Sequence, residues 1–186
     1  IDHCGLVPKL IKDGFGGKIF CTSATKELAK ILLEDSGEIQ ESDIKYSNKR
    51  RLAEGQPLLK PLYTIEDAKN SYSHFIDVKY GTWQQVIDGV EVFFTDAGHI
   101  IGSACVHLRI NENGVTRQLT FSGDVGRYRD VILKSPETFP QADFILLEST
   151  YGNSLHEDVV TTPDHLLEWI SKACLQKKGK LIMPAF

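Results

Sequence analysis

The chain has no CxxC pair, no apolar run near the ~20 residues that a membrane span requires, and no excess of basic charge. Its four cysteines, Cys4, Cys21, Cys105 and Cys174, follow no periodic framework. That points away from a disulfide scaffold or a structural zinc knot and leaves free or buried thiols as the expectation. No charged-then-apolar leader with a cleavage site opens the sequence, so a cytoplasmic protein without membrane association is expected. The net charge of −4 and pI of about 5.9 give the bulk composition no electrostatic footprint for nucleic acid. A nucleic-acid substrate would have to be held by local features and metals. Internal repeats and low-complexity segments are absent as well.

What is present is 186 residues, 41% of them hydrophobic. That suffices for one sizeable core, with the beginning of a second domain. The chain opens on Ile1 and closes on the apolar, strand-like run Leu181–Phe186. Both ends read as cut.

The pattern along the chain alternates between strands and helices. Gly17–Thr22 fits a buried strand. A helix should follow, capped by Ser23 or Thr25, with Leu28, Ala29, Ile31, Leu32 and Leu33 at helical spacing and Gly37 ending it. Residues 38–61 read first as a solvated loop or helix edge, and second as a phosphate-contacting patch around Lys49–Arg51. Thr64 and Asp67 resemble a capping box that opens a helix at Tyr63–Ala68. Val90–Thr95, Ala104–Ile110 and Arg117–Ser122 are β-rich, the last two joined by a hairpin at Asn111–Gly114. Ala142–Glu148 reads as a further buried strand, Asp164–Gln176 as an amphipathic helix and Lys180–Met183 as a terminal strand. The whole suggests a layered α/β or α+β sandwich.

His99, Asp124 and Glu148 each follow an apolar strand, so all three should project from one shared sheet edge. Asp2-His3 alone says little, because such a pair also serves as a helix cap. Asp96-Ala-Gly-His99 is stronger: glycines on both sides of the histidine suit a tight loop, although a structural histidine has the same surroundings. Ser122-Gly-Asp124 places a carboxylate where it could bridge two cations, and a turn-forming Asp looks the same. His and carboxylate donors suit zinc or its neighbours, yet a dinuclear site needs about six or seven ligand contacts. Roughly half of one is here. His74, His107 and His165 have no ligand spacing and are assigned to the surface or a satisfied core. His156 and Arg127 lie close enough in sequence to the signatures to touch a cleft or a phosphate, with a surface role as the plainer reading.

Taken in order with Glu148-Ser-Thr-Tyr-Gly152, these signatures resemble the metallo-β-lactamase superfamily, and within it the β-CASP nucleases. Ile1-Asp2-His3 is similar to the last positions of a His-x-His-x-Asp-His motif. Asp96–Ala104 resembles the third superfamily motif, Ser122–Arg127 the fourth, and Glu148–Gly152 the acidic motif that opens the β-CASP part. Met183–Phe186 resembles the strand and turn that precede a Val-Gly-Arg segment. The resemblance implies an αββα four-layer sandwich, partial here, over residues 1–151, and the start of a β-CASP domain over 152–186. It implies two zinc ions or other divalent metals, held in part by Asp2, His3, His99 and a bridging Asp124. Asp2, Asp124 and Glu148 would be catalytic, Glu148 as a non-ligand acid orienting a histidine further along. The implied reaction is in-line hydrolysis of a phosphodiester by a two-metal-activated hydroxide, leaving a 5′-phosphate.

Glu148 in its motif, and Ile100-Ile-Gly102 in place of a Cys-Pro-Gly after His99, resemble the RNA-processing branches more than the DNA-repair branch. The likeness is strongest to prokaryotic relatives of the nuclease subunit of the mRNA 3′-end cleavage machinery. RNA is therefore the expected substrate and DNA the less favoured one; a homodimer stays open. The leading His-x-His and the downstream histidines of the pattern are missing, so the 186 residues alone are expected to be inactive. A thioesterase or glyoxalase II type is disfavoured by Glu148–Gly152. A non-catalytic scaffold paralogue and a DNA-processing nuclease remain as alternatives.

Overall fold

The computed structural model describes residues 3–128, 130, 132–154 and 162–184, so Asp2 and His156 lie outside the described residues. The chain divides into two compact units, Ile1–Glu148 and Ser149–Phe186, of mixed α/β content.

In the first unit the helices gather around one apolar cluster. Helix α1 (Val7–Lys12) follows His3 closely, with Pro8 in its first turn, where a missing N–H costs nothing. Strand β1 (Ile19–Cys21) leads into α2 (Ser23–Ala53), and β1 pairs in parallel with β2 (Phe75–Asp77). The cap of α2 is Thr22, whose hydroxyl accepts from the Thr25 amide at 3.2 Å, where Ser23 or Thr25 was expected. Gly37 does not end the helix. It is buried inside α2 because the backbone of Thr64 and Ile65 crosses there; a Cβ would sit 2.9 Å from Ile65 N. The stretch from residue 38, read as a solvated loop or helix edge, is therefore helix as far as Ala53. Helix α3 (Ile65–Ser71) begins with the Thr64/Asp67 capping box as expected. Cys21, Ala29, Leu33, Tyr63, Ala68 and Phe75 form the shared core.

The second layer of this unit is a five-stranded sheet in simple sequence order: β3 (Gln84–Ile87), β4 (Val90–Asp96), β5 (Ala104–Glu112), β6 (Val115–Phe121) and β7 (Phe144–Leu146). Asn113 and Gly114 close the β5–β6 hairpin with φ of 52° and 79°, the two positive values that a two-residue turn of matching twist requires. β4 and β6 are each antiparallel to β5, and β7 is parallel to β6. Hence β4, β6 and β7 run the same way and end at one edge. Val78, Val92 and Phe94 form the core of this part. β7 is not the buried strand expected: among the described residues it is an edge strand with one neighbour, and Phe144, Ile145 and Leu146 are about half exposed.

The second unit holds α4 (Thr162–Ile170), continued by a wider π-helical turn over Ser171–Gln176, where a single helix was expected. Residues 180–183 are not a strand, because among the described residues nothing pairs with them.

Candidate functional site

The shared edge of β4, β6 and β7 collects the sequence signatures. His3, just ahead of α1, places Nε2 3.4 Å from Asp124 Oδ2. His99, in the loop after β4, places Nε2 3.8 Å from the same oxygen. Two histidines far apart in the sequence thus converge on one carboxylate oxygen. The side chains are 62%, 45% and 40% exposed for His3, His99 and Asp124, so the group is open to solvent.

Each loop is held by its own hydrogen bonds. In the His99 loop, Asp96 Oδ1 accepts from Gly98 N at 2.8 Å, and Ser103 Oγ accepts from the amides of His99 and Ile100 at 3.1 and 3.2 Å. Glu137 brackets the loop from outside: its Oε2 accepts from Asp96 N at 3.1 Å, while its amide donates to Asp96 O at 2.9 Å. The hydroxyls of Thr22 and Thr25 both donate to Gly102 O, at 2.8 and 3.0 Å, tying the loop to the N-terminus of α2. Gly98 takes φ +65°, in the left-handed region.

The Asp124 loop is set from β7. Glu148 N donates to the buried Ser122 Oγ at 3.0 Å, and Glu148 Oε1 accepts from Val125 N, next to Asp124, at 2.7 Å. The carboxylate of Glu148 therefore fixes the backbone that carries Asp124. Gly126 N donates to Ala97 O at 2.8 Å, and a Cβ on Gly126 would fall 1.7 Å from Gly98 O. The two ligand-bearing loops touch through glycine backbone. Above them, Tyr80 donates to Ser103 O at 2.8 Å, and burial, then the nearby Asp96, raises its phenol pKa.

Two donors on one tetrahedral zinc stand roughly 3.3 Å apart, given metal–ligand bonds of about 2.0–2.1 Å. The His3–Asp124 pair fits this spacing and the His99–Asp124 pair is wider. Among the described residues, no three His, Cys, Asp or Glu side chains already form a metal-holding group. The donors suit a divalent metal in kind and fall short in number.

Other residues are placed plainly. His74 Nδ1 lies 2.7 Å from Gly17 O, and His107 is buried between Thr95 and Thr120. Cys21, Cys105 and Cys174 are free thiols. No helix among the described residues is long and apolar enough to cross a membrane. What Ser103, Glu137, Thr22 and Thr25 do for the His99 loop went unread in the sequence. A serine four places after His99 within a glycine-rich turn was the available signal, since such hydroxyls cap nearby amides.

Comparison with known proteins points the same way. The chain is similar along its whole length to a ribonuclease. It is 31% identical over 186 residues to Ribonuclease TTHA0252 of Thermus thermophilus, covering 100% of this chain and 38% of that protein. It is 30% identical over 192 residues to Transcription termination factor FttA of Methanocaldococcus jannaschii, and 32% over 189 residues to FttA of Pyrococcus horikoshii. Both alignments cover 100% of this chain, and 27% and 26% of those proteins. The chain thus spans 38%, 27% and 26% of the lengths of these three relatives. No protein-family profile matches it.

Proposed function

We propose that this chain is the ligand-bearing part of a metal-dependent RNA phosphodiester hydrolase of the β-CASP branch of the metallo-β-lactamase superfamily. The observation that carries the reading is the convergence of His3 and His99 on Asp124 Oδ2 at the common end of β4, β6 and β7. Similarity along the whole of this chain to a protein named as a ribonuclease, of which it covers 38%, supports the substrate class. In this reading β3–β7 and the α2/α3 layer form half of a four-layer αββα sandwich, and the second unit begins the β-CASP domain.

His3, His99 and Asp124, with Asp2, would hold divalent metal, zinc being the best match to His and carboxylate donors. When bound, a metal pair supplies an activated water and charge neutralisation for an in-line displacement at phosphorus. The chain's own contribution is alignment. Ser103 fixes the His99 backbone, and Glu148, through Val125 N, fixes that of Asp124. Glu148 thereby reads as a positioning acid whose second oxygen is available to a histidine supplied from beyond this segment. The remaining donors would likewise come from outside the 186 residues, so the isolated segment should be inactive.

The test is cleavage of end-labelled single-stranded RNA and DNA by the protein at its native length, with Asp124→Ala alongside. RNA should be cut, and the variant should lose about a hundredfold or more, since altering even partners behind the ligands costs 10–100-fold. Intact RNA with the unmodified protein, or full activity in Asp124→Ala, would sink the proposal. Preferential cutting of DNA would favour the DNA-processing alternative.

A further inference from the structure

The far end of α2 carries a charge pattern that the site does not use. Residues 44–62 contain five of the chain's 21 basic residues and one of its 25 acidic ones, a local +4 in a chain of net −4. The helix is sided there. Ile44, Ser47, Asn48 and Arg51, at the i, i+3, i+4, i+7 spacing of one face, are half-buried.

That inner face grips the returning strap. Asn48 Nδ2 donates to Leu59 O at 3.0 Å, Leu59 N donates to Asn48 Oδ1 at 2.9 Å, and Arg51 Nε donates to Pro57 O at 2.7 Å. With the strap pinned, the opposite face is fixed outward. It presents Lys45, Tyr46, Lys49 and Arg50, all exposed, with Tyr46 at 80%. Lys45/Lys49 and Tyr46/Arg50 are i, i+4 pairs, so an aromatic ring lies among three cations on adjacent rows.

The ordinary explanation of basic residues at a helix C-terminus is the helix dipole. It covers Arg50 and Arg51, which lie in the last turn, and Arg50 also approaches Glu54 at 3.6 Å. It does not cover Lys45, Lys49 or the exposed Tyr46, because the dipole's effect fades within that turn. An apolar partner would want apolar neighbours around the ring, and here they are charged: Lys45, Lys49 and Arg50, with the single acid Asp43 one turn back. Phosphates on a basic row with a base stacked on an aromatic side chain is the chemistry of single-stranded nucleic-acid binding.

We propose that the Lys45/Tyr46/Lys49/Arg50 face of α2 is a contact surface for single-stranded RNA. This rests on the ribonuclease reading and adds a second point of grip. α2 starts at the threonine clasp on Gly102, beside His99, and rises about 1.5 Å per residue, so the face lies about 40 Å along the helix from that end. Only a long RNA engages both places.

The experiment compares the native-length protein with Lys45→Glu/Lys49→Glu and with Tyr46→Ala, each checked for unchanged circular dichroism. Unstructured fluorescent RNAs of about 40 and about 4 nucleotides serve as probes, the shorter unable to span that distance even when fully extended. The double variant should bind the long RNA at least about tenfold more weakly, with its log-affinity against log-salt slope shallower by about 1.4. Tyr46→Ala should weaken it about fivefold or more, and cleavage of the short RNA should not change. Unaltered affinity and salt slope for the long RNA would overturn the proposal. So would poly-glutamate binding that the double variant abolishes while RNA binding stays put, since the face would then take an acidic protein. A native-length protein that neither binds nor cuts RNA removes the ribonuclease reading itself, and this inference with it.

Discussion

His107 shows how one side chain can tie a sheet together at the expense of acid stability. Its Nε2 meets Thr95 Oγ1 at 2.9 Å and its Nδ1 meets Thr120 Oγ1 at 2.8 Å, bridging β4 and β6 through the middle strand. The ring is 2% exposed and lies between Phe93 and Phe139, with centroids at 5.8 and 5.7 Å. Burial lowers its pKa, since the charged ring has no water there. The sign follows by linkage. Above the ordinary histidine value of about 6.5 neither folded nor unfolded chain is protonated there, so nothing is lost. As pH falls below that value the unfolded chain takes up a proton that the native one refuses, and stability drops until the lowered native pKa is passed. Urea unfolding from pH 7.5 to 5 should therefore show a falling midpoint, and His107→Gln should flatten it. Replacement by leucine should cost about 1–3 kcal/mol at neutral pH, by stranding buried hydroxyls. A pH-independent midpoint in the unmodified chain would contradict the buried neutral ring. In sequence, His107 read only as surface or satisfied core, because nothing local announces that two threonines on neighbouring strands will face it.

At the scale of elements, the instructive residue is Gly37. In an exposed helix, glycine to alanine gains up to about 1 kcal/mol. Here the added methyl would meet Ile65 N at 2.9 Å and Thr64 C at 3.0 Å, both backbone atoms that cannot swing away. Gly37→Ala should consequently destabilise by about 1–3 kcal/mol, as overpacked cores do. A raised urea midpoint would show that the α2–α3 crossing is looser than it looks. The same residue explains why α2 was only half legible. A glycine that stops a helix and one that lets another backbone cross it look identical in sequence, and the charged run after it resembled a loop. The signals with a local cause read correctly: the Thr64/Asp67 capping box, the Asn113-Gly114 hairpin and the strand ends that carry His99, Asp124 and Glu148. β7 and residues 180–183 read poorly because burial and pairing of a strand depend on neighbours that composition cannot reveal.

For the molecule as a whole, the site joins distant parts of the chain through few direct bonds. His3 precedes α1, His99 follows β4 and Asp124 follows β6, and the nitrogen–oxygen distances to the shared carboxylate, 3.4 and 3.8 Å, are longer than an ordinary hydrogen bond. The scaffold beneath is firmer, with Gly126 against Gly98, Ser122 under Glu148 and the threonine clasp on Gly102. A divalent ion bound across His3, His99 and Asp124 would add what the loops lack, a closure spanning most of the first unit. Because such an ion binds the native chain and hardly the unfolded one, it should stabilise by about 2.7 kcal/mol at a free concentration of a hundred times its Kd. In a chelator-treated sample, zinc should therefore raise the Tm by several degrees. The rise should disappear in Asp124→Ala and shrink in His99→Ala, while His74→Ala, away from this edge, should keep it. If zinc, manganese and magnesium all leave the Tm of the native-length protein unmoved, the converging side chains are a polar cluster and metal drops out of the proposed reaction. If the rise survives Asp124→Ala, the ion sits elsewhere, and the strand-end site loses the chemistry argued for it.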